Sequence, residues 1–374
     1  MKKSFLAGLS PSEFLRRHWQ KKPLLARNAF PDYAGAITRN DLFRLARRDD
    51  IESRIVTRGS TWGRWQVRHG PFAAAELRRL PRANWTLLVQ GVDHALPQAA
   101  RLLREFSFIP HVRLDDVMVS YAAPGGGVGP HFDSYDVFLV QTGGERRWQV
   151  SAQRDLELEP DAPLKLLRNF TPQREWTLAP GDALYLPPRY AHDGVAVGEC
   201  ITCSVGFRAP AHQELGSRFL EFLQDRLELD GRYADPGAGP ARRPAEIPSH
   251  MLAESVRVLG RMRWREDDVA EFLGRYLSEP KANVVFRRPA RVLAPSEFDR
   301  RARRSGVRLA LPSRMLFHGG RIFINGEVAR PRAAAARVLK ALADMRELKP
   351  PFTLEREARE LLYQWYGAGY IEIV

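Results

Sequence analysis

The chain of 374 residues contains only two cysteines, Cys200 and Cys203. Their C-x-x-C spacing occurs in zinc knuckles and redox pairs, but the sequence has no second pair to complete a tetrahedral zinc site. The two cysteines also lie in a β-rich run, and residues three apart on a strand point to opposite faces, which disfavours a shared metal. We therefore predict two packed thiols.

The sequence also lacks a predicted transmembrane segment and a basic tail. The apolar run after Met1-Lys2-Lys3 stops at Ser10-Pro11-Ser12-Glu13, which is too short for the hydrophobic region of a signal peptide. We therefore expect a cytoplasmic protein with no membrane partner. The net charge of +14 is spread along the chain and indicates an acidic neighbour, such as nucleic acid or a ribonucleoprotein. No readout motif is visible, so nonspecific RNA contact is the expectation.

What the sequence does contain is a glycine-rich stretch that leads into metal-ligand side chains. His131 and Asp133 are two residues apart, so on a strand both side chains would leave the same face. His192 follows Asp133 after 58 residues, an interval that several antiparallel strands would fill. Two imidazoles and one carboxylate form the facial triad of non-haem iron(II) oxygenases. A lone His-x-Asp is usually structural, but the glycines from Gly125 to Gly129 and the turn Pro180-Gly181-Asp182 favour a site.

Several motifs together resemble a known family. They are Phe14 to Pro23 (FLRRHWQKKP), Pro124 to Asp136, Arg146-Arg147-Trp148, Pro180-Gly181-Asp182 with Tyr185, and Ser204 to Pro210 (SVGFRAP). This set is similar to the JmjC-type 2-oxoglutarate oxygenases and, within them, to the bacterial ribosomal oxygenases that hydroxylate an arginine of large-subunit ribosomal protein L-sixteen. The resemblance covers about the first 210 residues and continues beyond them mainly as a shared layout.

The resemblance implies an α+β protein with a double-stranded β-helix core, the jelly roll of the cupin and JmjC proteins. We expect this catalytic domain over residues 1–210, a helical dimerisation domain with a linker over 211–285, and a winged-helix-like domain over 286–374. In the family the middle helices form the dimer interface. The sequence alone permits either that arrangement or burial within one chain, and we favour a homodimer. The amphipathic helix predicted over Gln213 to Leu229 is the candidate for pairing.

The last domain combines short predicted strands, a hairpin turn at Gly319-Gly320, and helices over Arg332 to Met345 and Phe352 to Tyr366. This arrangement resembles a winged helix. Three glutamates on the second helix, which takes the place of a recognition helix, disfavour contact with phosphate. Protein contact is therefore the better expectation for this domain.

The resemblance also implies iron(II) as the metal, with 2-oxoglutarate and dioxygen as cosubstrates. The distant carboxylate of 2-oxoglutarate requires a cation, and a guanidinium binds a carboxylate with two hydrogen bonds. Arg146 and Arg147 alternate on a predicted strand, so only one faces inward, and the family's pattern matches Arg146. Further hydrogen bonds to 2-oxoglutarate are expected from Ser120, Tyr121 and Ser204.

A hydroxylase that acts on an arginine needs a carboxylate to bind the guanidinium. Asp116 is the candidate, with Met118 and Tyr135 as apolar walls; the alternative is that Asp116 is a solvated acid at the end of a strand. Three functions stay open. They are a hydroxylase of an arginine β-carbon in a large-subunit ribosomal protein, another 2-oxoglutarate oxygenase such as a histidyl or small-molecule hydroxylase, and a non-catalytic basic binding protein on a cupin core. The intact triad argues against the third.

Overall fold

The computed structural model of the chain describes residues 4–59 and 65–374. Its α-helices are α1 (Pro11–Arg17), α2 (Arg39–Leu45), α3 (Ala74–Arg78), α4 (Pro97–Glu105), α5 (His212–Gln224), α6 (Ser249–Leu259), α7 (Glu266–Ser278), α8 (Pro295–Ser305), α9 (Ala333–Met345) and α10 (Arg356–Ala368). Among the described residues, no helix combines the length and the apolar character that crossing a bilayer requires.

The strands of the first 210 residues build the catalytic domain. They are β1 (Leu24–Ala26), β2 (Ser53–Arg58), β3 (Trp65–His69), β4 (Trp85–Val89), β5 (Leu114–Ala122), β6 (Val137–Gly143), β7 (Arg146–Ser151), β8 (Arg174–Leu178), β9 (Ala183–Leu186), β10 (Ala191–Ala196) and β11 (Cys200–Phe207). Those of the C-terminal domain are β12 (Val307–Leu309), β13 (Met315–His318), β14 (Arg321–Ile324), β15 (Glu327–Ala329), β16 (Glu347–Leu348) and β17 (Ile371–Ile373).

Two antiparallel sheets of the catalytic domain face each other. The larger sheet has the order β1-β9-β6-β11-β5-β4-β2-β3, and the smaller one the order β10-β7-β8. Leu139 and Leu184 of the larger sheet share a buried cluster with Trp148 and Leu178 of the smaller one. A sandwich wrapped in this way is the double-stranded β-helix, so the predicted fold class is confirmed.

Local sequence signals explain how the N-terminal helix closes the outer face of the larger sheet. The Ser10 hydroxyl accepts a hydrogen bond from the Glu13 backbone N–H at 3.2 Å, and the Glu13 carboxylate accepts one from the Ser10 N–H at 2.8 Å. This capping box starts α1 and directs Phe14 inward, where its ring packs 5.0 Å from that of Tyr185. The Tyr185 hydroxyl in turn donates to Asp136 at 2.6 Å, just before β6.

Side chains alternate along β5 and β11 between the outer core and the inner face of the barrel. Tyr121 packs in the outer core, whereas Ser120 faces inward. The same alternation separates the cysteines: Cys203 lies in the outer core, and Cys200 lies in a different cluster with Ala122. Burial raises the pKa of the Cys203 thiol to about 12. The prediction of two packed thiols is confirmed.

The helices after residue 210 pack differently from the expectation. On α5, Phe219 and Phe222 lie 5.3 and 5.7 Å from Phe272 of α7, measured between ring centroids, so much of the apolar face of α5 is covered within the chain. The helix also ends at Gln224, five residues before the predicted end at Leu229. The exposed apolar face belongs instead to α6, where Leu252 is 60% and Val256 63% exposed.

The C-terminal domain packs three helices on two small sheets. Buried residues of α8, α9 and α10 form its core together with β12 and β14. Arg314 connects this domain to the catalytic domain, since its guanidinium donates to the backbone carbonyls of Leu114, at 3.3 Å, and Asp115. Arg208 adds a hydrogen bond to the Leu277 carbonyl at 3.0 Å. The start of β5 is therefore fixed by residues far along the chain.

Candidate metal and cosubstrate site

One cavity of about 450 Å³ lies between the two sheets of the barrel. Except for Tyr121, every residue that the sequence assigned to the site lines this cavity: His131, Asp133, His192, Arg146, Ser120, Ser204, Asp116, Met118 and Tyr135. Tyr121, which was expected to add a hydrogen bond, instead faces the outer core, because neighbours on a strand point to opposite faces. The residues that line the cavity form a deep polar end, which contains Arg146, and a more exposed mouth, which contains Tyr135.

His131, Asp133 and His192 each offer a ligand atom, and these atoms all lie within 4.8 Å of one another. The two backbones are joined by reciprocal hydrogen bonds, from His131 N–H to the His192 carbonyl at 3.0 Å and from His192 N–H to the His131 carbonyl at 2.8 Å. The expected strand over His131 and Asp133 is wrong, because this segment forms an isolated bridge before β6 begins at Val137. The three metal-ligand atoms nevertheless lie close together.

Hydrogen bonds orient both imidazole rings. His131 Nδ1 lies 2.8 Å from the Gly129 carbonyl, and His192 Nδ1 lies 2.9 Å from the Tyr190 carbonyl. A carbonyl can only accept, so each Nδ1 carries its hydrogen and each Nε2 keeps a free lone pair. Burial holds the pKa of His192 well below its ordinary value, and His131 lowers it further. His192 is therefore neutral at physiological pH, the form that binds metal ions.

The glycines allow the chain to pass close to β10. A Cβ on Gly127 would lie 2.7 Å from the Gly194 carbonyl oxygen, and one on Gly194 would lie 2.6 Å from the Trp148 ring. Gly125 has a φ of +71°, which a larger residue adopts only with strain. The glycine-rich stretch thus brings His131 beside His192 without filling the cavity.

Arg146 occupies the deep end of the cavity. It is 5% exposed, and its Nη1 donates to the Ser120 hydroxyl at 3.3 Å. Its guanidinium also lies 5.6 Å from the centroid of the Trp148 ring. Among the residues that the structure describes, nothing accepts a hydrogen bond from its buried Nε or Nη2. A buried cation with two unused donors fits a carboxylate ligand. Arg147, the next residue, is exposed.

The walls between the triad and the mouth come from β5 and β11. Ser204 pairs with Met118 in the strand register, and Ser120 pairs with Thr202, so both serines lie on the inner face. Tyr135 is 43% exposed at the mouth. An extended ligand could therefore meet hydroxyls along its length and an aromatic ring where it enters.

Asp116 is buried, with an exposure of 3%, which excludes the alternative that it is a solvated acid at the end of a strand. Its carboxylate accepts hydrogen bonds from Gln90 Nε2 at 2.9 Å and from Lys281 Nζ at 2.9 Å. Sequence reasoning missed both partners. Lys281 is 165 positions away, and no local pattern links it to Asp116.

Two family models match the chain. A JmjC domain model covers residues 101–215, which contain the triad and most of the cavity. A ROXA-like winged helix model covers residues 261–372, so the winged-helix expectation is confirmed. This second match begins before the boundary predicted at residue 286 and includes α7.

Relatives of known name extend over most of the chain. The Escherichia coli protein named ribosomal protein uL16 3-hydroxylase is 35% identical over 318 residues, 84% of each chain. A probable ribosomal oxygenase of Haemophilus influenzae is 42% identical over 206 residues, which cover 54% of this chain and 50% of that relative. The structure of the E. coli ribosomal oxygenase YcfD with cobalt and 2-oxoglutarate is 31% identical, with a TM-score of 0.81 over 97% of this chain and 98% of that one. The chain therefore belongs to the family of JmjC-domain ribosomal oxygenases.

Proposed function

We propose that this protein is an iron(II)- and 2-oxoglutarate-dependent oxygenase that hydroxylates the β-carbon of an arginine in a large-subunit ribosomal protein. The observation that carries the proposal is the buried Arg146 guanidinium, which has two unused donors among the described residues and shares a cavity with the His-Asp-His cluster. The name of the E. coli relative, a uL16 3-hydroxylase, and the solved complex of YcfD with 2-oxoglutarate support the reaction class.

We assign the metal to His131, Asp133 and His192. When bound, iron(II) together with 2-oxoglutarate and dioxygen supplies the oxidising power needed to hydroxylate an unactivated C–H bond. The chain contributes two oriented imidazoles and a carboxylate whose ligand atoms already lie within 4.8 Å of one another. Little rearrangement is then needed on binding, which favours affinity.

We assign 2-oxoglutarate to the deep end of the cavity. Arg146 would bind its distant carboxylate through Nε and Nη2, and Ser120 and Ser204 would add hydrogen bonds. Burial of Arg146 strengthens this pairing because little water competes for the guanidinium. The ring of Trp148 lies beside it, with its centroid 5.6 Å from the guanidinium.

We assign the substrate side chain to the space between Asp116, Met118 and Tyr135. A buried carboxylate attracts a guanidinium strongly at short range, whereas a neutral histidine ring or an uncharged small molecule would gain much less from it. This difference favours arginine hydroxylation over the second candidate, a histidyl or small-molecule hydroxylase.

The deciding experiment is mass spectrometry of ribosomal proteins after incubation with the purified protein, iron(II) and 2-oxoglutarate. We expect the mass of one oxygen atom on an arginine of uL16. The matched control is the Asp133→Ala protein under the same conditions. Modification of a histidine, or succinate release without any modified protein, would favour the second candidate.

A homodimer is the proposed assembly. The α6 face formed by Leu252, Val256 and Leu259 is 55–63% exposed, and it lies in the segment expected to dimerise. A self-complementary apolar helix face of this kind suits a two-fold interface.

Nonspecific RNA contact is proposed for one cleft of the C-terminal domain, in addition to the protein contact expected of this domain. Residues 286–374 contain 18 Lys and Arg against 9 Asp and Glu, a net charge of +9 out of +14, so the charge is less evenly spread than expected. Arg287, Arg291 and Arg304 line one cleft, are exposed, and form no ion pair with any described residue. Hydroxylation of a ribosomal protein would take place in the cytoplasm, next to RNA.

A further inference from the structure

Asp116 is held from outside the catalytic domain by Lys281. This lysine lies between α7 and α8, beyond the span that the JmjC model matches. Its Nζ is 2.9 Å from an Asp116 carboxylate oxygen and 3.3 Å from one of Asp115. The side chain of Lys281 is 35% exposed and that of Asp116 is 4% exposed. The buried acid therefore has a solvent-connected counter-ion.

Two side chains hold the carboxylate of Asp116 by hydrogen bonds. Lys281 bonds Oδ2 of Asp116, and Gln90 Nε2 lies 2.9 Å from Oδ2 and 3.2 Å from Oδ1. Lys281 lines a neighbouring cleft and not the catalytic cavity, whereas Gln90 and Asp116 line both. Oδ1 thus keeps acceptor capacity for a donor that enters the cavity.

Neighbouring acids make this counter-ion necessary. Asp115 is adjacent on β5, and Asp93, whose pKa is raised mainly by burial, also interacts with Asp116. Burial opposes the charge of Lys281, but Asp116 and Asp115 outweigh it and raise the pKa of the lysine above its ordinary value. Lys281 is therefore charged at neutral pH. Without it, Asp116 would be a buried carboxylate beside other acids, with neutral Gln90 as its hydrogen-bond partner and Arg314 as a nearby cation.

We propose that Lys281 is a positioning residue for substrate recognition. It holds the Asp116 carboxylate through Oδ2 and leaves Oδ1 with acceptor capacity in the cavity, where the guanidinium of the substrate binds. Lys281 acts through Asp116 and does not touch the substrate. This role rests on the proposed arginine hydroxylation. If Lys281 has this role, recognition of the substrate depends on the segment that links the helical and C-terminal domains.

The test compares Lys281→Met, which keeps the length of the side chain, with Lys281→Arg, which keeps the charge. We expect Lys281→Met to raise the KM for a uL16 peptide roughly tenfold, by loss of part of a charge-pair interaction, with kcat and the KM for 2-oxoglutarate unchanged. Lys281→Arg should return the KM to within about twofold of the parent. Lys349→Met, which removes an exposed lysine of the C-terminal domain, is the matched control.

Thermal melting and succinate release without peptide verify that each variant is folded, and Lys281→Gln replaces Lys281→Met if that variant is not. An unchanged KM overturns the inference, and so does a lower KM, which would mean that Lys281 competes with the substrate. Failure of Lys281→Arg to restore binding also overturns it.

Asp116→Asn is measured in parallel. If Asp116→Asn binds peptide like the parent, the substrate assignment itself is wrong; if it fails while Lys281→Met does not, only the role of Lys281 is wrong.

Discussion

Arg146 and Arg147 show how much the environment of a residue decides its role. Both carry the same group, yet Arg146 is buried in the cavity and Arg147 is exposed. We expect Arg146→Ala to raise the KM for 2-oxoglutarate by about thirtyfold or more, because losing one side of a buried charge pair costs about 2–5 kcal/mol. Arg147→Ala, the matched control, should stay near the parent value. Succinate release at increasing 2-oxoglutarate concentrations measures both, and equal effects would contradict the assignment.

The metal assignment gives a second prediction for single residues. Asp133→Ala removes one of three converging donors and should weaken iron(II) binding by an order of magnitude or more, in line with the dependence of such sites on a complete ligand set. Asp161→Ala, which alters an exposed acid, should bind iron(II) like the parent. Metal analysis after dialysis against equal iron concentrations provides the comparison. Unchanged iron content in Asp133→Ala would show that another donor completes the site.

The sequence predicted those site residues that short-range periodicity determines. Arg146 and Arg147 differ by one position on a strand, so their opposite directions follow from the pleat alone. The same rule should have excluded Tyr121, since it neighbours Ser120 on β5. Lys281 was beyond such reasoning, because its contact with Asp116 depends on how the linker between α7 and α8 folds back on the barrel.

Secondary-structure elements were predicted well where caps or breakers define them. The sequence predicts capping boxes at Ser10 and Thr38, and these boxes start α1 and α2. Asp182, in a predicted turn, directly precedes β9. The Gly and Pro breaks of the sequence also predict a strand from Arg64 to Arg68. Strand β3 covers Trp65–His69, and Arg64 lies outside the described residues. Helix α8 was missed, although Pro295 at its start and the buried Phe298 and Ala302, four residues apart, were a usable signal.

The helices of the middle segment show why amphipathicity alone does not identify an interface. The pattern of α5 is real, but Phe219 and Phe222 pack against Phe272 of α7 within the chain. Aspartate at those positions would damage the fold of the segment as well as any dimer. The unused apolar face on α6 is therefore the better place to test assembly.

The prediction for assembly is that Leu252→Asp combined with Val256→Asp yields monomers. Both side chains are exposed in the single chain, so the substitutions should leave its fold intact while placing unpaired charges in the interface, which opposes association. His250→Asp, on the opposite side of α6, adds one negative charge away from the apolar face and serves as a control. Light scattering on a size-exclusion column reports the mass. A folded double variant that remains dimeric would place the interface elsewhere.

The net charge of the molecule differs from one domain to the next. Residues 1–210 contain 29 Lys and Arg against 22 Asp and Glu, residues 211–285 contain 11 against 13, and residues 286–374 contain 18 against 9. A basic enzyme gains no long-range attraction to a basic ribosomal protein, so recognition falls to short-range acids such as Asp116, where screening is weaker. The excess of positive charge on the C-terminal domain is suited to RNA binding instead.

The prediction for the whole molecule is that RNA binding depends on salt through the cleft lined by Arg287, Arg291 and Arg304. Replacing all three with alanine should weaken binding to a ribosomal RNA fragment. It should also reduce the slope of log affinity against log salt by up to about 2–3, because each lost phosphate contact removes about 0.7–0.9. The matched control replaces Arg300, Arg303 and Arg356, which already form ion pairs with Glu297, Asp299 and Glu360. Fluorescence anisotropy over a salt series measures both. Equal losses in the two sets would show that net charge, rather than this cleft, attracts RNA.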